Sequence, residues 1–271
     1  MYQRRLTTPS PSVNVMIAAA YKAGSKLLKD FKEVERLQVS KKGPGDFVTN
    51  ADRNAENIIR EELEKARPEF GFLLEESGEI EGKDTENKWI VDPLDGTTNF
   101  LHGIPHFAVS IAHEKRGKIM AGVIYDPIHD DMYWAAEGQG AYVNNERLRV
   151  SARQNSGDLL FATGRPHTAK QDFTDFNKLC LEVTNISSGI RSTGSACLNF
   201  AYVAAGRFDG FFHEGLTPWD IAAGLILVQE AGGYISAYDK KANPVYDGSV
   251  ISGNELAFKI LGKIIRKALN K

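Results

Sequence analysis

Trp89-Ile90-Val91-Asp92-Pro93-Leu94-Asp95-Gly96-Thr97-Thr98-Asn99-Phe100 is the stretch that the other segments of this 271-residue chain serve. Its first three residues are bulky and β-favouring, which predicts the end of a buried strand. The chain must then turn. Pro93 fixes its own φ and removes a donor, and Gly96 permits a backbone conformation closed to other residues. Asp92 and Asp95 share this turn with no basic residue between them. They repel each other unless a positive charge sits there, and hard carboxylate ligands point to Mg²⁺, Mn²⁺ or Ca²⁺. Thr97 and Thr98 add hydroxyls and N–H groups at the start of a helix, where an anion is favoured. The plainer reading is an Asp-Gly turn with solvated acids.

Composition narrows the classes of function. Apolar residues at 42% and charged residues at 25% describe a globular protein with a sizeable core. A formal charge of −2, with the signs interspersed, gives no electrostatic argument for nucleic acid or an acidic membrane as partner. Cys180 and Cys197 have no metal-ligand spacing, so a buried thiol pair in a reducing compartment is expected. The N-terminal residues lack the apolar run of a signal peptide, and no stretch reaches the roughly 18 apolar residues of a membrane span. A cytoplasmic protein is the expectation.

Along the chain, apolar spacing predicts an amphipathic helix over 13–31 and a second helix opening at Thr49-Asn50-Ala51-Asp52. Thr49 and Asp52 have capping-box spacing, which gives Asp52 a structural reason to exist. Val34 to Ser40 reads as a short strand, Lys41 to Asp46 as a loop by composition, and Phe70 to Leu74 as a strand ending on Glu75-Glu76-Ser77. The polar segment 79–88 reads as an exposed loop. Parallel pairing of the strands before Glu75 and Asp92 would bring those two acids together. Three segments over 107–136 read as antiparallel strands. His102, His106 and His113 are interrupted by Gly103 and Pro105 and carry no HExxH pattern, so no histidine metal site is expected. The second half alternates strand and helix, predicting an α/β layer against an α+β first half. There, Gly194-Ser195-Ala196 and Trp219-Asp220 each open a helix, the latter after Pro218. No nucleotide-binding loop is present, so NAD or ATP cradling is not expected.

Together, Glu75-Glu76-Ser77, the 89–100 stretch and Trp219-Asp220-Ile221-Ala222-Ala223-Gly224 resemble the inositol monophosphatase family of Mg²⁺-dependent, lithium-sensitive phosphatases. Order and spacing agree over about residues 13 to 265. The resemblance implies a layered αβαβα fold in the α/β (α+β) class, one catalytic domain over 1–271 with lobes near 1–150 and 151–271, and a homodimer. It implies that Glu75, Asp92, Asp95, Asp220 and the Leu94 carbonyl hold two Mg²⁺ ions, and that Asp52 holds a third through water. That overrides the purely structural reading of Asp52. Thr97 and Glu75 would position the attacking water, and Asp95 would serve catalysis from the metal. The Gly96 and Thr97 amides, with Thr98 beside them, would hold phosphate. Gly194, Ser195 and Ala196 would line the polyol side, as would Asp220, and Lys41 would lie near the metals. The implied substrate is a small phosphorylated polyol, myo-inositol monophosphate first, attacked in line by water without a phosphoenzyme.

One departure bears on the alcohol. Two residues ahead of Gly215, where the family commonly carries a Glu reading inositol hydroxyls, this chain has His213, with Glu214 next to it. Metal chemistry should survive that change, while strict inositol selectivity is placed in doubt. The alternatives are a fructose-bisphosphate or 3′-phosphoadenosine phosphatase on the same metals, or a regulatory protein of transcription complexes acting through protein contacts.

Overall fold

The computed structural model describes residues 8–33, 39–43, 46–166 and 173–268, with side chains described outside 39–49. In chain order the elements are α1 (Pro11–Phe31), β1 (Val39–Gly43), β2 (Asp46–Thr49), α2 (Asn50–Ala66), β3 (Phe70–Leu74), β4 (Gly78–Ile80), β5 (Asp84–Asp95) and α3 (Thr97–Leu101). Then come β6 (Ala108–Lys115), β7 (Lys118–Asp126), β8 (Asp131–Ala136), β9 (Gly140–Val143), β10 (Glu146–Arg147), β11 (Leu160–Ala162) and α4 (Thr174–Thr184). The chain continues with β12 (Gly189–Arg191), α5 (Ala196–Ala204), β13 (Gly210–Glu214), α6 (Pro218–Glu230), β14 (Tyr234–Ser236), α7 (Pro244–Asp247), β15 (Ser249–Gly253) and α8 (Glu255–Ala268).

These elements stack as five layers. Helices α1 and α2 cover one face of an eight-stranded sheet ordered β10-β9-β8-β7-β6-β5-β3-β4. Helices α5 and α6 cover its other face and at the same time one face of a five-stranded sheet, β12-β11-β13-β15-β14. Helices α4 and α8 close the far side. The expected αβαβα layering is therefore the one observed. It also explains why α6 is apolar all round, burying Ile221, Ala222, Ala223, Gly224, Ile226, Leu227 and Val228: a helix between two sheets has no solvent face. By contrast α8 buries a single stripe, Ala257, Leu261, Ile264 and Ile265, and shows its basic residues outward.

Small residues set how closely the middle layer sits. A Cβ on Gly122 of β7 would come within 2.7 Å of the Ala223 Cα, and one on Gly224 within 2.4 Å of the Phe200 ring. Only glycine lets α6 lie flat on the large sheet and against α5 at once. This contact fixes the N-terminus of α6, and with it Asp220.

Two expectations about irregular segments are corrected. Residues 79–88 are mostly strand, because β4 and the polar start of β5 are tied to backbone neighbours: Asn87 and Lys88 pair with Lys115 and Glu114, and Gly71 pairs with Lys88. Sheet pairing there overrides composition. Lys41 to Gly43 lie on β1, which pairs antiparallel with β2 and has a register shift between Lys41 and Gly43. Of the strand expected over 34–40, residues 34–38 lie outside the described residues, as do Pro44 and Gly45 and the side chain of Lys41.

Candidate active site

The expected parallel neighbours are β3 and β5, in register from Gly71 opposite Lys88 to Leu74 opposite Val91. The Glu75 N–H continues the ladder to the Val91 carbonyl at 3.2 Å. Glu75 therefore stands beside the strand that carries Asp92. On the other side of β5, Asp92 pairs with Ser110 and Asp95 with Ala108, so Pro93 and Leu94 together oppose the single residue Val109, a bulge of one extra residue on β5. The bulge re-aims the chain so that both acids serve one place instead of alternating faces. Asp92 caps its own turn, accepting the Leu94 N–H at 2.9 Å. Gly96 follows at φ +96°, where a Cβ would also crowd the His106 carbonyl at 3.1 Å, and α3 begins.

Asp95 reaches across to the N-terminus of α5. Its carboxylate accepts the Ser195 hydroxyl, the Cys197 N–H at 2.8 Å and the Ala196 N–H at 3.2 Å. It thus caps α5 from outside while Ser195 caps it locally through the Leu198 N–H. Asn99 staples the same junction, donating to the carbonyls of His106 and Thr193, each at 2.8 Å. Asp220, in the first turn of α6, accepts both the N–H and the hydroxyl of Thr217 on Oδ2 at 2.7 Å. From α2, Asp52 is buried and accepts the Thr97 hydroxyl at 3.1 Å, a hydroxyl that also reaches the Leu94 carbonyl at 3.0 Å.

Electrostatics shows how closely the acids converge. The Asp92 carboxyl is pushed well above the usual range, first by burial, then by the charges of Glu75, Asp95 and Asp220, and it is hydrogen-bonded to Glu75. Asp95 is raised to about 6 by burial and by Asp220, although its three donors oppose the shift. Buried like charges at such range are tolerated only with protons or a cation among them. Among the described residues, Asp92, Asp95 and Cys197 offer ligand atoms within 4.8 Å of one another. Four carboxylates, with the Leu94 carbonyl at their turn, suit a hard divalent cation.

Sequence reasoning missed two members of this neighbourhood. Cys197 was expected only as half of a buried thiol pair, and of the two cysteines it alone is fully buried. Its Sγ lies 3.4 Å from the Asp220 carbonyl, and burial together with Asp95, Asp92 and Asp220 pushes its pKa well up, keeping it protonated. The only signal was its place two residues after Ser195. Glu56, buried on α2 one turn beyond Asp52, had none.

The residues expected on the alcohol side lie at or after the carboxyl ends of three parallel strands, β12, β11 and β13. The segment after β12 carries Gly194 and Ser195, and the segment after β11 carries Gly164. His213 and the exposed Glu214 end β13. The His213 ring is buried against Gly164, where a Cβ would lie 2.6 Å from its Nε2. His113 is elsewhere, hydrogen-bonded to Asn87 at 2.9 Å, with burial lowering its pKa to about 4. His102 bonds the Thr98 carbonyl through Nδ1, and His106 packs edge-on to Tyr202.

The sequence profile of the inositol monophosphatase family matches residues 9–270. The chain belongs to that family. It is 53% identical over 264 residues to the inositol-1-monophosphatase of Mesorhizobium japonicum, covering 96% of this chain and 98% of that one. It is 43% identical over 260 residues to a protein of Escherichia coli named Nus factor SuhB, covering 96% and 97%. Its fold matches the crystal structure of extragenic suppressor protein suhB from Bartonella henselae with a TM-score of 0.92 at 51% identity, covering 95% and 99%. As an inositol monophosphatase family member the chain is a phosphatase, a phosphoric monoester hydrolase. No described helix is long and apolar enough to cross a membrane.

Proposed function

We propose that this phosphatase hydrolyses monophosphate esters of small polyols, myo-inositol monophosphate among them, with Mg²⁺ held by Glu75, Asp92, Asp95, Asp220 and the Leu94 carbonyl. The observation that carries the reading is the convergence of acids at one place: buried Asp92 is pushed upward by burial and by Glu75, Asp95 and Asp220, and Asp92 and Asp95 offer ligand atoms within 4.8 Å of each other. Bound there, Mg²⁺ supplies charge neutralisation of the phosphate dianion, a more acidic water and stabilisation of the leaving alkoxide. The protein residues divide the remaining work. The Thr97 hydroxyl, tied to Asp52 and the Leu94 carbonyl, orients the attacking water together with Glu75. The amides of Gly96 and Thr97, with Thr98 beside them, hold phosphate oxygens. Asp52 places an additional carboxylate beside the Thr97 hydroxyl, suited to a weaker third ion. Asp95 and Asp220 are kept in place by α5 and α6, whose N-terminal turns they also cap. No Ser, Cys or His nucleophile is required, and direct in-line attack by water follows. The whole chain acts as one catalytic unit, and by resemblance it works in the cytoplasm, as a homodimer and with lithium sensitivity.

Selection of the alcohol falls to Gly194, Ser195, Ala196, His213 and Glu214. A carboxylate only accepts hydrogen bonds, whereas an imidazole at position 213 both donates and accepts, so hydroxyl reading is altered. His213→Glu is expected to shift turnover toward inositol monophosphate relative to glycerol phosphate and sugar phosphates by at least about fivefold, the equivalent of one hydrogen bond. Phosphate release across that panel measures it. Identical profiles for the two proteins would refute a role for His213.

The Escherichia coli relative's name supports a second reading, a regulatory role in transcription. A folded but inactive Asp220→Asn variant that still performs the cellular role would favour it.

A further inference from the structure

Glu56 follows Asp52 by one helical turn on the face of α2 that meets β5, and only 2% of it is exposed. Its carboxylate accepts the Glu76 N–H at 2.8 Å on one oxygen and the Ser77 hydroxyl on the other. Among the described residues, no basic side chain forms an ion pair with it. A buried carboxylate is costly even with two donors, and an apolar side chain would pack the interior of this helix, beside Ala55 and Ile59, at less expense. Stability therefore does not account for an acid at this position.

What its two hydrogen bonds fix is the turn that carries Glu75. The Glu75 N–H is held by Val91 of β5, and the next N–H, that of Glu76, is held by Glu56. The backbone of Glu75 is thus clamped on both sides, between β5 and α2, and its carboxylate meets Asp92. Four residues earlier on the same helix, Asp52 holds the Thr97 hydroxyl. Helix α2 therefore sets both groups assigned to orienting water, Glu75 through Glu56 and Thr97 through Asp52.

We propose that Glu56 is a positioning residue: by clamping the 75–77 turn to α2 it aims the Glu75 carboxylate at the divalent cation. The proposal rests on the metal reading of the site. It predicts that cation affinity depends on a side chain that never touches the cation, as partners of ligating carboxylates generally tune affinity by about 10–100-fold.

The test is calorimetric titration of Mg²⁺ into the full-length metal-free protein, with melting temperature recorded alongside. Glu56→Ala is expected to weaken Mg²⁺ binding at least about tenfold. Glu56→Gln keeps an acceptor for the Glu76 N–H and presents an amide that the Ser77 oxygen can accept. It is expected to restore affinity to within about threefold of wild type. Ser77→Ala, at an exposed residue, removes one donor and is expected to weaken binding about two- to threefold, which keeps the proposal open to refutation if Glu56→Ala does not fold. A lower melting temperature with wild-type Mg²⁺ affinity in Glu56→Ala would overturn the proposal, because that is the signature of a purely structural role. Equal loss in Glu56→Gln and Glu56→Ala would overturn it too, since charge rather than the clamp would then set affinity. Failure of the wild type itself to bind Mg²⁺ would instead strike the metal reading.

Discussion

Replacing Asp95 by Asn is expected to lower kcat/KM by more than roughly a thousandfold while the fold persists. Loss of one neutral transition-state donor costs about 10²–10³ in kcat, and here an anionic ligand shared between cation and scaffold is removed. The position has a second duty that sharpens the prediction. Asp95 accepts Ser195 Oγ and the N–H groups of Ala196 and Cys197. An Asn oxygen can take part of that set, but its NH₂ then faces donors, so the cap is weakened by about 1 kcal/mol. Against this, removing a charge relieves repulsion with Asp220, which is among the causes that raise Asp95. The two effects oppose each other in the metal-free protein, so its melting temperature should move little. Circular dichroism and Mg²⁺ titration separate the outcomes: a folded variant without Mg²⁺ affinity is expected, and wild-type turnover would contradict the assignment.

The second large effect is a coupling of pH, metal and stability. In the metal-free protein Asp95 is raised from 3.8 to about 6, and Asp92 is raised well above its ordinary value too. Between these values the folded state holds protons that the unfolded chain has released, so stability falls as pH rises through about 4 to 6. A shift of that size in Asp95 alone corresponds to about 3 kcal/mol, fully felt above pH 6. A cation replaces the protons, so Mg²⁺ should raise the melting temperature strongly at pH 7.5 and little at pH 4.5. Thermal denaturation with and without Mg²⁺ at the two pH values checks this. Equal metal effects at both would contradict it.

Much of the site was legible because its elements announce themselves locally. Asp92-Pro93-Leu94-Asp95-Gly96 is a turn by its Pro and Gly, and two acids on one turn call for a cation. Asp220 after Pro218 reads as the start of a helix. The pairing of Glu75 with Asp92 followed from two strand-like runs whose parallel arrangement a layered α/β chain favours. Of the expected alcohol side, the helix start at Gly194-Ser195-Ala196 was legible locally, and the family resemblance added His213 and Glu214.

What was not legible depends on partners distant in sequence. Glu56 looks like any helix acid until the 75–77 turn lies against it, and Cys197 looks like a core thiol until Asp220 folds over it. Asp95 capping α5 spans 100 residues, and nothing in either segment alone announces it. The polar start of β5 was misread as a loop because strand composition reports side-chain surroundings, while the ladder with β6 and β3 is made by backbone. Asp52 was legible twice over, as an acid in the first turn of a helix and as a member of the family's ligand set. The structure adds its Thr97 partner.

Everything proposed for this site requires that the acids around Asp92 bind a cation that drives phosphoester hydrolysis. The most direct measurement is phosphate release from myo-inositol monophosphate by chelator-stripped protein, before and after Mg²⁺ is restored, with lithium added last. The expected result is no release without Mg²⁺, full release with it and inhibition by lithium. Undiminished release from the stripped protein would contradict the account.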